Sequence, residues 1–149
     1  MAEARWYGKL RDGRGEFKSA TGQVFGPFSF ASRFESGVGT NPEELIASAL
    51  ASCFSMALAA RLTKERFVPE WIHSYAQVFL DKTQDGEFAL TKIEIRTEGS
   101  IPGIEAEMFQ RMAEEVKNTC PVSKALSGVQ IILRTAMLVV SSETQRMMV

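Results

Sequence analysis

A chain of 149 residues with net charge −1, 45% hydrophobic and 23% charged residues has the composition of an ordinary globular protein. The near-zero charge offers no basic field to nucleic acid or an anionic membrane surface, which argues against both as partners. Two cysteines and one histidine, His73, fall short of a four-ligand zinc site, so no metal is expected.

The first stretch reads as β-structure. "RWYGKL" and "GEFKSA" flank the glycine-rich turn "RDGRG", and "QVFGPFSFASRF" looks like a third extended piece. "ESGVGT" breaks that pattern, and a helix starts with Asn41 as N-cap, Pro42 at its first position and Glu44 three residues after the cap. The spacing predicts a helix from Pro42 to about Thr63, uncharged from Leu45 to Ala60. That uncharged run is shorter than the ~20 residues of a membrane span and is rich in Ala and Ser. A helix apolar or small on every side belongs at a buried centre, which a second copy of the chain would help to build.

Beyond it, "YAQVFLDK" and "EFALTKIEIRTEG" form a hairpin about "TQDGE", with a clean two-residue alternation over Lys92–Arg96. A second helix follows in "IPGIEAEMFQRMAEEVKNT", with Ile104, Met108, Phe109, Met112 and Val116 as its apolar stripe. "PVSKAL" makes a short helical turn stopped by Gly128, and "VQIILRTAMLVV" a last strand. The order β-β-β-α-β-β-α-β is α+β, organised as one domain over 1–140 with a tail at 141–149.

The chemistry lies with Cys53 and Cys120, 67 positions apart and not in a CxxC motif. Nothing near the start is apolar enough for a signal peptide, so the expected compartment is the cytoplasm, where cysteines more often mean redox chemistry or simple burial. Cys53 shares a helix face with Ala49, Leu50, Met56 and Ala57, the setting of a buried small hydrophobe. Cys120 precedes Pro121 at a helix cap, where free N–H groups stabilise a thiolate. Acyl transfer wants a histidine base beside the thiol, whereas peroxide reduction wants only a thiolate and a cation. Periodicity alone leaves open whether the two sulfurs meet, and which arginine serves.

The stretch "SRFESGVGTNPEELIASALASCFSMALAARL" resembles the core of the OsmC/Ohr family, the osmotically inducible protein C and organic hydroperoxide resistance proteins. "NTCPVSKAL" is similar to the family's second-cysteine motif, and the element order agrees from Trp6 to Val139. "GTNPEELI" and "CFSMAL" look closer to the OsmC branch.

The resemblance implies antiparallel sheets around a long central buried helix, in an intertwined homodimer. It implies that Cys53 attacks a hydroperoxide and becomes a sulfenic acid, which Cys120 resolves as a disulfide. Arg33, in "ASRFE", matches the arginine that holds thiolate and peroxide, and Glu43 the glutamate that positions that arginine. No metal, flavin or haem is implied, only an external thiol reductant such as protein-bound dihydrolipoamide.

Glu43 and Cys53 lie about 15 Å apart along one straight helix, too far for one arginine to serve both. Antiparallel packing of two copies brings the Glu43 of one chain toward the Cys53 of the other, so each active site is expected to be composite. Phe54, Met56 and Phe28 are candidates to line an apolar pocket, and Gly37 and Gly39 to let the Arg33 loop swing. The alternative is a non-enzymatic stress-associated or ligand-binding homodimer with incidental cysteines; a cysteine acyl-hydrolase is disfavoured for want of a histidine base.

Overall fold

The computed structural model describes residues 1–140; the expected tail, 141–149, lies outside them. The described residues form two compact units, Met1–Leu45 and the part from Ile46 onward.

In the first unit β1 (Ala2–Tyr7), β2 (Arg14–Ser19) and β3 (Phe25–Phe28) make an antiparallel meander in the order β1-β2-β3. The expected third extended piece ends early. Only Phe25–Phe28 is strand, and Phe30–Phe34 turns into a short helix, α1. The cause is local. Ser29 caps the Ser32 amide at 3.0 Å while the Ser32 hydroxyl accepts from the Ser29 amide at 2.8 Å, a reciprocal box that satisfies two otherwise orphaned donors. Arg33 therefore sits on a helix rather than at a strand end.

The long helix α2 (Pro42–Lys64) starts where the sequence marks it, with Asn41 Oδ1 accepting from the Glu44 amide at 2.9 Å. At 23 residues it is by length and composition apolar enough to cross a bilayer. Along it, Leu50, Phe54, Leu58 and Leu62 form a ridge of four-residue spacing with no exposed surface. Off that ridge Ala49, Ser52 and Ala60 are exposed and Met56 is 76% exposed, so this chain covers the helix along one stripe and not all round.

The second sheet has the order β4-β5-β6, from β4 (Trp71–Lys82), β5 (Phe88–Ser100) and β6 (Gln130–Leu138). β4 and β5 form the expected antiparallel hairpin, but β6 runs parallel to β5, so this sheet is mixed rather than antiparallel. The connection explains it. α3 (Ala106–Thr119) and α4 (Pro121–Ala125) lie between these strands, and such a crossover carries the chain back to the same end of the sheet. α3 buries the predicted residues Phe109, Met112 and Val116, which join Ile93 and Ile95 of β5 and the α2 ridge in one core. Cys120 ends α3 and caps α4, within that core and only 1% exposed.

Candidate active site

Cys53 comes from the middle of α2 and is half-buried; Cys120 comes from the α3–α4 junction and is buried. Their sulfurs are 3.4 Å apart and joined by a hydrogen bond, both thiols being free. A disulfide has an S–S length of about 2.05 Å, so the pair needs an approach of little more than an ångström to bond. The structure thus brings together two residues that periodicity left unconnected.

The surroundings of the two sulfurs are unequal. Burial pushes the Cys120 thiol up, but its hydrogen bonds with the Ser123 hydroxyl and amide, with Cys53 and with the Val122 amide outweigh it, and the group is lowered from its ordinary value. Burial also pushes Cys53 up; the Val122 amide opposes this, and the neighbouring Cys120 adds to it, leaving the group raised. Of the two sulfurs, Cys120 is the one whose surroundings favour the thiolate and Cys53 the one whose surroundings favour the thiol. Within the described part of the second unit no cation acts on either sulfur.

Arg33 and Glu43 form the second cluster, within the first unit. Arg33 donates from Nε at 3.1 Å and from Nη2 at 2.7 Å to the same Glu43 oxygen, Oε1. Glu43 is 8% exposed, and the Arg33 side chain 37%. The pair is held from both sides. Ser32 donates to the Thr40 carbonyl at 2.7 Å, and Asn41 Nδ2 to the Ser32 carbonyl at 3.1 Å, fixing α1 against the start of α2. Arg33 also lies over the Phe34 ring, 5.3 Å from its centroid.

Other expectations fare differently. Phe54 has no exposed surface and belongs to the core ridge of α2, so it does not line a pocket; Met56 points to the opposite, exposed side. The ridge spacing decides this, because Phe54 falls on the same stripe as Leu50 and Leu58. A Cβ on Gly37 would lie 2.6 Å from that of Ala31, and one on Gly39, at φ +115°, 2.7 Å from the Pro27 carbonyl. These glycines permit close approach as well as an unusual turn. His73 bonds the Tyr75 hydroxyl at 3.2 Å and faces Glu98 at 3.5 Å, both on the exposed side of the second sheet. Among the described residues no cluster of three or more metal-ligating side chains occurs.

Sequence reasoning missed Ser123. The spacing Cys-x-x-Ser across a cap, the same i, i+3 relation as Ser29 and Ser32, was the available signal.

The OsmC-like protein family matches residues 35–134. The chain belongs to this family. It is 43% identical over 127 residues to peroxiredoxin OsmC of Escherichia coli (strain K12), covering 85% of this chain and 88% of that one. It is 27% identical over 93 residues to the organic hydroperoxide resistance protein of Xanthomonas axonopodis pv. citri (strain 306), covering 62% and 63%. Among solved structures, an organic hydroperoxide resistance protein from Elizabethkingia anophelis superposes with a TM-score of 0.72 at 24% identity, covering 93% of this chain and 96% of that one. OhrB of Bacillus subtilis gives 0.68 at 26% identity, covering 91% and 97%. The α+β fold of this OsmC-family chain, with its two small sheets, is therefore that of the OsmC and Ohr structures.

Proposed function

We propose that this OsmC-family chain is a cysteine-based peroxidase acting on organic hydroperoxides, and possessing activity toward hydrogen peroxide as well. The names of its relatives support the reaction class. The observation that carries the mechanism is the 3.4 Å contact between Cys53 and Cys120 across 67 residues of sequence.

In the first step the Cys53 thiolate attacks the outer oxygen of the hydroperoxide. The S–O bond forms as the O–O bond breaks, and the alkoxide leaves with a proton as the alcohol. Cys120 then attacks the sulfenic sulfur, giving the Cys53–Cys120 disulfide and water. An external dithiol, of the dihydrolipoamide type, returns the pair to thiols; no metal, flavin or haem takes part.

For this sequence the Cys53 thiol must lose its proton, yet within the described part of the second unit no cation holds the charge there. We therefore assign the active site to a homodimer in which the partner's Arg33, oriented by the partner's Glu43, stands beside Cys53. The uncovered side of α2, with Met56 exposed, supports packing of a second copy against that helix. Residues 1–140 act as one domain in this reading, in the cytoplasm, without nucleic acid or membrane as a partner.

The test is intact mass and free-thiol count on the reduced protein before and after one equivalent of cumene hydroperoxide. Loss of two hydrogens, both thiols and the peroxide, with a Cys53–Cys120 cross-linked peptide, is expected; Cys53→Ser should abolish peroxide consumption. Thiols that survive while the peroxide persists would overturn the enzymatic reading in favour of a ligand-binding homodimer.

A further inference from the structure

Ser123 is the second residue of chemical interest in "CPVSKAL", and the peroxidase scheme leaves it without a part. Its side chain is 4% exposed, and its hydroxyl has one partner among the described residues, Cys120 Sγ at 3.3 Å. Its backbone amide points at the same sulfur, at 3.5 Å. A buried hydroxyl normally finds an oxygen, commonly a carbonyl one turn back. Ser52 and Thr63 in α2 do this, whereas the Ser123 hydroxyl is turned to the sulfur.

We propose that Ser123 is a positioning residue for the resolving thiol: its hydroxyl and amide hold Cys120 Sγ against Cys53 and carry the negative charge that the sulfur bears when it reacts. The proposal rests on the peroxidase reading for its role in turnover, but not for the contact itself.

The chemistry needs such a group at one defined point. When Cys120 attacks the sulfenic acid, the sulfur must arrive as thiolate; the S–S bond forms, the S–O bond breaks, and hydroxide leaves to take a proton as water. When a dithiol attacks the disulfide at Cys53, the Cys120 sulfur is the leaving thiolate, and a stabilised thiolate leaves faster. With Cys120 ionised the sulfur only accepts, so the Ser123 hydroxyl must be the donor. Against the sulfur stand Cys53 from α2 and the Val122 and Ser123 groups of α4, while α3 contributes the Val116 carbonyl that accepts the Cys120 amide. Cys53 is the sole titratable side chain acting on Cys120 among the described residues, so the hydroxyl has no charged competitor there. The depressed proton affinity of Cys120 agrees with this arrangement.

Two measurements test it. In a Cys53→Ser background Cys120 is the single thiol, and its titration is read from ultraviolet thiolate absorbance with and without Ser123→Ala. Loss of a hydrogen bond to a charged group should move the inflection up by about one pH unit or more. In chains that retain Cys53, Ser123→Ala should slow disulfide formation after cumene hydroperoxide by about tenfold near neutral pH. The deficit should shrink as pH rises through the thiol range, and Ser123→Thr, which keeps the hydroxyl, should restore the rate.

An unshifted inflection, or a deficit equal at every pH, overturns the proposal and leaves Ser123 a structural cap. If the wild-type chain forms no disulfide at all, the peroxidase reading falls, while the titration still decides what Ser123 does to Cys120.

Discussion

Arg33 meets Glu43 through one carboxylate oxygen with two of its nitrogens, a contact that a lysine ammonium does not reproduce. Arg33→Lys should keep the fold and lower kcat/KM for cumene hydroperoxide by about tenfold or more, the effect of losing one charge-assisted hydrogen bond. A loss smaller than twofold by steady-state kinetics would remove Arg33 from the site. The two thiols carry opposite pH signatures. Cys120, depressed in the fold, contributes stability that is present above the unfolded thiol pKa of ~8.5 and lost as pH falls through its folded value. Cys53, raised in the fold, contributes stability present below ~8.5 and lost as pH rises through its folded value. Urea midpoints of the reduced protein should climb toward that pH and then decline, with Cys120→Ser flattening the climb and Cys53→Ser the decline. At this scale the caps were legible, because Asn41-Pro42 and Cys120-Pro121 carry their geometry in adjacent residues. The sulfur-to-sulfur contact was not, since nothing local encodes a meeting across 67 residues.

Elements that hold a periodic pattern were readable, and those set by side-chain capping or by distant pairing were not. α3 follows its apolar stripe closely, and α2 starts at its marked cap and runs through its uncharged stretch. α1 hid inside a run rich in phenylalanine that alternates like a strand; only the Ser29–Ser32 box turns it into a helix. The direction of β6 was equally hidden, because its hydrophobic run suits either orientation and the α3–α4 crossover decides. The loop after α1 makes a testable case. Gly39→Ala puts a Cβ against the Pro27 carbonyl at a left-handed φ, and should destabilise the first unit by about 1–3 kcal/mol. Ser29→Ala, which removes a cap, should lose about 1 kcal/mol. Urea unfolding that finds Gly39→Ala harmless would show that the loop has slack at this point, as a swinging Arg33 loop requires.

For the whole molecule, the composite site makes a prediction that no single-chain site shares. Cys53→Ser and Arg33→Ala homodimers should each be inactive, and subunit exchange between them should restore roughly a quarter of wild-type activity, from one intact site in half of the dimers. No recovery after exchange, verified by mass spectrometry of mixed dimers, would place the arginine and cysteine in the same chain. In the sequence α2 is an uncharged helix expected to be covered on every side, and one chain covers it along the ridge of Leu50, Phe54, Leu58 and Leu62. The same long separation of Cys53 and Cys120 has a further consequence, for the lifetime of the spent protein. Closing so large a loop removes chain entropy from the unfolded state, worth about 4 kcal/mol in the loop-closure treatment. The oxidised chain should therefore resist digestion longer than the reduced one in pulse proteolysis, so that a shortage of reductant leaves the inactive form as the more durable of the two.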